Sequence, residues 1–352
     1  MKMTYDFISM GSVTSAEVGK IYIDVGNHFG PGQLDHHHAT APHTCTARLA
    51  LDHPDYMHSQ IRPALPEIQL ITHWYPDLDA ISGVYFARLH LQGFSPSPAH
   101  SLWADYVCQV DRGETVLDPA QPITPYSLFI LSLQRASQSD TDPKTISTAM
   151  LAEGLDFIDT VIAQLEKGND LKSPDFFKDC NHLQADIDAV RADWQHYLND
   201  LKRAEQFECR LPDITGQGLK TVPALWIEEP TSSLFKAWAR GDAKRAGQAL
   251  GFVFLGIQVN PQRAILSVMP DSGVTLKGLG EALEQAETTK RQQIGKIRTG
   301  KNRTGYDSPD PWYDGRSPLH AYTIVDAPHE GSVLSSTEIR QVFEQWIGNY
   351  GL

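Results

Sequence analysis

The chain has 352 residues, 41% hydrophobic and 21% charged. That is enough apolar material for buried cores and too much for a disordered chain. Its 30 basic residues against 43 acidic ones leave a net charge of −13, which argues against a general polyanion binder, because nucleic-acid affinity draws on phosphate neutralisation. No apolar run approaches the roughly 20 residues that span a bilayer, and Met1 to Asp6 lacks a signal peptide's apolar core, so a soluble, cytoplasmic protein without a membrane partner is expected. Length suggests two domains. The cysteines, Cys45, Cys108, Cys180 and Cys209, are widely spaced with no CxxC pair, which argues against a thiolate zinc site and a disulfide scaffold.

In chain order, Tyr5 to Met10 and Lys20 to Val25 are short β-rich runs. Cys45 to Leu51 can begin a helix. Ile68 to Thr72 is a buried-type strand that breaks at His73, and Asp79 to Leu91 has helical spacing. Strand, polar turn and helix in alternation predict an α/β domain with a mostly parallel sheet. Residues 125–207 read as mainly helical. Beyond Arg210, Thr221 to Ile227, Phe252 to Val259, Arg263 to Met269 and His320 to Val325 read as strands. Leu234 to Arg240, Leu276 to Gln293 and Ser336 to Trp346 read as helices, giving a smaller mixed α/β domain. The expected boundaries are 1–150 for the first domain, 151–209 for a helical linker and 210–352 for the second domain.

The composition holds 14 histidines, eight of them between His28 and His73. Two clusters stand at predicted strand ends, where α/β sheets gather ligands. One is Asp24 with Asp35-His36-His37; the other is His73-x3-Asp77-x-Asp79. Imidazole and carboxylate together suit Mn²⁺, Fe²⁺, Co²⁺ or Zn²⁺. Five or six such ligands exceed one tetrahedral site and imply two ions sharing a carboxylate, the usual device for phosphoester and phosphoanhydride hydrolysis. Each residue also has an ordinary structural reading. Asp-His-His can be a solvated turn, Asp24 a strand end, Asp77 a helix N-cap after Pro76 and Asp111 a surface turn.

His73-Trp74-Tyr75-Pro76-Asp77-Leu78-Asp79-Ala80, with Asp24-Val25-Gly26 and Asp35-His36-His37, resembles the motifs of the DHH phosphoesterase superfamily. That group includes family II pyrophosphatases, RecJ-type exonucleases and phosphodiesterases of short oligonucleotides and cyclic dinucleotides. The close spacing is most similar to the melanocyte-proliferating-gene exonuclease branch. Val110-Asp111-Arg112-Gly113 looks like the fourth motif. The resemblance covers roughly the first 115 residues. It implies a hydrolase with two divalent ions, Mn²⁺ foremost. His73, Asp77 and Asp24 would hold one ion; Asp79, His36 and Asp111 would hold the other, with Asp24 bridging. His37 would orient a ligand or face the substrate, so Asp24, His37 and Asp77 are the catalytic candidates. The motif order differs from the family's, with Asp-His-His coming first, which implies a permuted sheet.

Residues 288–303 contain Lys290, Arg291, Lys296, Arg298, Lys301 and Arg303 and no acid. Trp312, Tyr313 and Arg316 follow. Arg and Lys can clamp phosphates and an aromatic ring can stack on a base, so Lys296, Arg298, Lys301, Arg303, Trp312 and Arg316 are the substrate-binding candidates. The ordinary reading of Lys290 and Arg291 is a helix C-terminus where cations offset the dipole. The Gly-Gly substrate motif of the usual second domain is missing. The combined expectation is a metal-dependent phosphodiesterase or exonuclease-like enzyme acting on a phosphorylated small molecule or short nucleic acid. A catalytically idle nucleotide-binding sensor and a mononuclear amide hydrolase are the alternatives.

Overall fold

The computed structural model describes residues 2–38, 41–62, 65–138, 140–247, 251–299 and 306–350. It is a mixed α/β structure built on two five-stranded sheets. The first sheet comprises β1 (Lys2–Ile8), β2 (Lys20–Ile23), β3 (Phe29–Gly30), β4 (Gln33–Leu34) and β5 (Glu67–His73), in the order β1-β5-β2-β4-β3. All its pairings are parallel except the short β3–β4 ribbon. Strand β5 reads EIQLITH and is buried from Leu70 to His73. A parallel strand covered on both faces needs such a continuous apolar run.

Helices α1 (Thr46–Asp52), α2 (Pro54–His58), α3 (Leu78–Leu91) and α4 (Pro98–Asp111) surround this sheet. Ten residues of α3 are buried around its whole circumference, so α3 is a central helix. It lies close to its neighbours at Gly83, where a Cβ would sit 2.7 Å from Ile23 Cγ2 and 3.2 Å from Thr46 Cγ2. Helices α5 (Pro125–Ser137), α6 (Pro143–Glu166) and α7 (Gln184–Asp200) form the helical middle of the chain.

The second sheet holds β6 (Glu205–Pro212), β7 (Leu219–Glu228), β8 (Phe254–Asn260), β9 (Arg263–Val268) and β10 (Ile324–Asp326), in the order β10-β9-β8-β7-β6. Only β7–β8 is parallel. That crossover carries α8 (Phe235–Gly241) and α9 (Ala243–Ala246); α10 (Leu279–Gln293) and α11 (Ser336–Asn349) complete the second half. One apolar cluster runs from Phe7 through the helical middle to Leu225, Ile227, Leu255 and Leu319. A second lies between the other face of this sheet and α10 and α11. Among the described residues no helix is long and apolar enough to cross a membrane.

Two sequence expectations change. The strand expected over His320 to Val325 is confined to Ile324–Asp326, because Ala321 and Tyr322 turn through positive φ (46° and 63°). Cys45 and Cys108 form a disulfide. Their separation of 63 residues hid a proximity that only the packing of α1 on α4 creates.

Candidate metal centre

The register of the first sheet assembles the site. Tyr22 pairs with Ile71 across β2–β5 and Ile23 pairs with Leu34 across β2–β4. Just past these pairs, at the carboxyl ends of the strands, come Asp24, His73 (the last residue of β5) and Asp35, and they emerge together there. Asp24 takes a left-handed conformation (φ 59°), which turns the chain sharply into Gly26. The loop after β5 ends at Asp77, whose Oδ1 accepts the Ala80 amide at 3.1 Å and caps α3. Asp79 follows in the first turn of α3, and Asp111 is the last residue of α4.

The donor atoms converge. Asp24 Oδ2 lies 3.3 Å from His73 Nε2, and Asp24 Oδ1 lies 3.4 Å from His37 Nδ1 and 3.8 Å from His36 Nε2. His36 Nδ1 is 3.2 Å from Asp111 Oδ2 and 3.8 Å from Asp79 Oδ2. Three sets of three residues bring ligand atoms within 4.8 Å of one another: Asp24, His36 and His37; Asp24, His73 and Asp77; His36, Asp79 and Asp111. Asp24 and His36 each belong to two sets.

Supporting groups aim these donors. Asp35 Oδ1 accepts from His37 Nδ1 at 2.8 Å and from the His37 amide at 2.9 Å. A carboxylate only accepts, so the proton sits on Nδ1 and Nε2 is left for a ligand, the usual support of a metal-binding histidine. The Trp74 carbonyl, 3.0 Å from His73 Nδ1, does the same for His73. Helix α1 presents its first amides to Asp79, Thr46 N at 2.8 Å and Ala47 N at 2.7 Å, and Thr46 Oγ1 donates to Asp24 at 2.9 Å. A helix N-terminus favours a carboxylate there.

Buried donors left unsatisfied test whether an ion fits. His36 Nδ1, His73 Nε2 and Asp111 Oδ2 are all buried without a hydrogen-bond partner. Natural structures leave few such atoms, and all three point into the clusters. Imidazole nitrogen with carboxylate oxygen is a donor set for first-row divalent metals, so the residues fit the group.

The electrostatics are those of densely packed opposite charges. Burial pushes the His36 imidazole down, but Asp111, Asp79 and Asp24 outweigh it and hold His36 at about 9. Burial acts likewise on His73, and the Asp24 carboxylate beside its Nε2 with the charge of Asp77 raises it to about 9. Burial raises the Asp79 carboxyl well above its ordinary value, reinforced by Asp111 and Asp24. Burial opposes ionisation of Asp24, Asp35 and Asp111, yet the neighbouring imidazoles hold all three below the ordinary carboxylate range.

The second half of the chain supplies a facing wall that the sequence did not reveal. His320 Nε2 lies 3.9 Å from Asp111 Oδ1, and its ring is 5.9 Å from His36 and 6.1 Å from His37. Tyr313 holds His320 Nδ1 at 2.7 Å through its hydroxyl and stands 6.2 Å from the His37 ring. Lys236, on α8, has its ammonium held down at about 8 by burial and by Arg240, against the charges of Asp111 and Asp326. His320 and Lys236 sit in no recognisable motif, and Tyr313 stands out only as part of the aromatic stretch that follows the basic run.

The expected substrate clamp is largely committed elsewhere. Arg298 donates to both oxygens of Glu284 at 2.8 and 2.7 Å and is almost enclosed. Arg316 pairs with Asp314 at 2.7 Å and stacks on the Tyr306 ring at 3.9 Å. Trp312, expected to stack on a base, is only 1% exposed and donates its indole N–H to Glu287, so it is a core residue. Lys296 is exposed. Lys301 and Arg303 lie outside the described residues. Tyr313, not Trp312, carries this stretch to the clusters.

The chain matches no family model, and neither the curated proteins nor the solved structures give a significant match.

Proposed function

We propose that this protein is a dinuclear metal-dependent phosphoesterase of the DHH kind. It would hydrolyse a phosphodiester or phosphoanhydride in a nucleotide or short oligonucleotide. The observation that carries this reading is that the three donor sets run into one another: Asp24 joins the His73 and Asp77 set to His36 and His37, and His36 in turn belongs to the set with Asp79 and Asp111. Adjoining donor sets of this kind suit a pair of ions about 3.5–4 Å apart. His73, Asp77 and Asp24 would hold one ion, and His36, Asp79 and Asp111 the other. When bound, two such ions neutralise phosphoryl oxygens and supply an acidified water at neutral pH.

The protein's own residues do the rest. Asp35 fixes the tautomer and direction of His37, so that His37 Nε2 faces the reacting phosphate. The amides of α1 keep Asp79 in place without adding charge. His320, steadied by Tyr313, closes the site from the opposite side and can donate to a phosphoryl oxygen. Lys236 adds a positive charge near Asp111, favouring an anionic substrate in an otherwise acidic chain. Enclosure by this wall favours a small substrate or a chain end over the interior of a long polymer.

The test is direct. Protein stripped with chelator is assayed with and without Mn²⁺ on bis-p-nitrophenyl phosphate, short oligonucleotides, cyclic dinucleotides and pyrophosphate. Metal-restored hydrolysis of at least one is expected, with two Mn²⁺ per chain. Full activity in His36→Ala or Asp77→Ala protein sinks the proposal. Normal folding with no bound metal points to an idle binding protein.

A further inference from the structure

Cys45 and Cys108 occupy positions that no role considered so far explains. Cys45 is the N-cap of α1, and the next two amides are those that grip Asp79. The Thr46 hydroxyl that holds Asp24 is on the same turn. Cys108 is in the last turn of α4, three residues before Asp111. The disulfide brings the two Cα atoms to 5.1 Å. It therefore joins the turn that supports Asp24 and Asp79 directly to the turn that carries Asp111.

The carboxylates depend on this junction unequally. Asp24 directly follows β2 and is buried, and Asp77 caps α3, so the first sheet and its central helix place both. Asp111 is the final residue of its helix, where intrahelical carbonyl bonds run out and fraying begins. Its Oδ2 has no hydrogen-bond partner to fix it. Arg112, next in the chain, pairs with Glu114 and not with the site. Beyond its contacts with His36 and His320, a covalent tie one turn upstream restrains the helix end that carries the Asp111 carboxylate.

We propose that the Cys45–Cys108 bridge is a positioning pair for one half of the metal centre. Closed, it sets the distance from Asp111 to His36 and Asp79 that a second divalent ion needs. Opened, it frees the end of α4 and weakens that ion alone, leaving the Asp24, His73 and Asp77 set intact. Opening requires a dithiol. One thiolate attacks a bridge sulfur to form a mixed disulfide, and the second displaces the protein thiolate. The reductant leaves as its own disulfide, and two electrons and two protons end on Cys45 and Cys108 as thiols. This inference rests on the dinuclear reading above.

The experiment uses the full chain in three forms: air-oxidised, reduced with a dithiol then desalted under nitrogen, and the Cys45→Ser/Cys108→Ser double variant. Thiols are counted after denaturation. Cys180 and Cys209 are free, so the oxidised form should show those two and the reduced form all four cysteines. Mn²⁺ alone is then titrated into each form by calorimetry, and amide exchange is followed at the end of α4. We expect the first ion to bind within about twofold in all three forms. The second should bind at least about tenfold more weakly in the reduced and variant proteins, the scale on which groups that orient ligands act, with faster exchange at the end of α4. Equal binding of both ions in all forms overturns the inference, even if the melting temperature falls, because the bridge is then a general staple. Four thiols in the oxidised protein also overturn it. No Mn²⁺ bound by any form sinks the dinuclear reading itself. If the double variant fails to fold, the reduced native chain decides.

Discussion

Asp24 Oδ2 and His73 Nε2 stand 3.3 Å apart at the carboxyl ends of two adjacent parallel strands. Their meeting follows from register. With Tyr22 opposite Ile71, the second residue beyond each strand position must emerge beside the other. Asp24→Asn keeps the shape and removes the charge common to two of the three donor sets. Hydrolysis should fall about 10²–10³-fold, since metal-based charge stabilisation is worth several kcal/mol. Bound Mn²⁺ should fall below one per chain. Metal analysis alongside kinetics checks this; unchanged metal content contradicts a bridging role.

Asp35 acts on the site through His37. Asp35→Asn can still accept at His37 Nδ1 but loses the negative charge behind that bond. Activity or metal affinity should drop about 10–100-fold, with the circular dichroism spectrum unchanged. A variant as active as the native protein would make the Asp35–His37 bond a loop contact only.

His320 separates wall from ligand. His320→Ala should lower kcat about 10²-fold, the scale of losing one preorganised donor, while both Mn²⁺ ions remain bound. Tyr313→Phe should give a smaller loss in the same direction. Loss of an ion in His320→Ala protein would instead make His320 a ligand.

The pH response of the metal-free protein has a definite sign. His36 and His73 are raised to about 9, above the roughly 6.5 of an unfolded histidine. Their stabilisation is fully present below about pH 6.5 and is lost as pH rises through about 9. Asp35 and Asp111 are held below the ordinary carboxylate range, so their contribution is present above about pH 4 and is lost on further acidification. Ion binding runs the other way, because it needs neutral imidazoles. Mn²⁺ affinity should climb between pH 6.5 and 9 with release of protons, while the melting temperature of the stripped protein falls. Calorimetry in two buffers of different ionisation heat measures the protons; none released contradicts the assignment of His36 and His73.

Away from the site, Asp193 on α7 is 2% exposed and accepts from Ser232 Oγ, Ser233 N, Leu234 N and Trp238 Nε1 at 2.6, 2.8, 3.2 and 2.9 Å. Asp193→Ala leaves these donors unpaired and should cost about 3 kcal/mol of stability. Denaturant unfolding reads the loss, and Mn²⁺ stoichiometry should not change.

Much of the first half was legible because its chemistry is local. Strand runs such as Ile68 to Thr72 end in the very residues that form the clusters, and His-x-x-Pro-Asp-x-Asp carries its spacing on its face. Asp111 was legible only by resemblance, since nothing in Val110 to Gly113 says that α4 folds back to His36. His320 gave no local signal and Tyr313 stood out only as part of an aromatic stretch, because their place depends on how the second sheet packs against the first. The basic stretch misled for a related reason. Arg298 is neutralised by Glu284, 14 residues away in the chain, which a one-dimensional charge run does not show, and Arg316 by Asp314 two residues before it. The Cys45–Cys108 pair is likewise a product of helix packing.

Every acid and imidazole of the three donor sets falls between Asp24 and Asp111, whereas the wall that faces them comes from Tyr313 and His320. A substitution in the later stretch can change which molecule reaches the clusters without altering one atom that would grip an ion. If the proposed reading holds, choice of metal and choice of substrate are thus open to separate mutation, and such a scaffold would acquire a new specificity while its inorganic chemistry stays fixed.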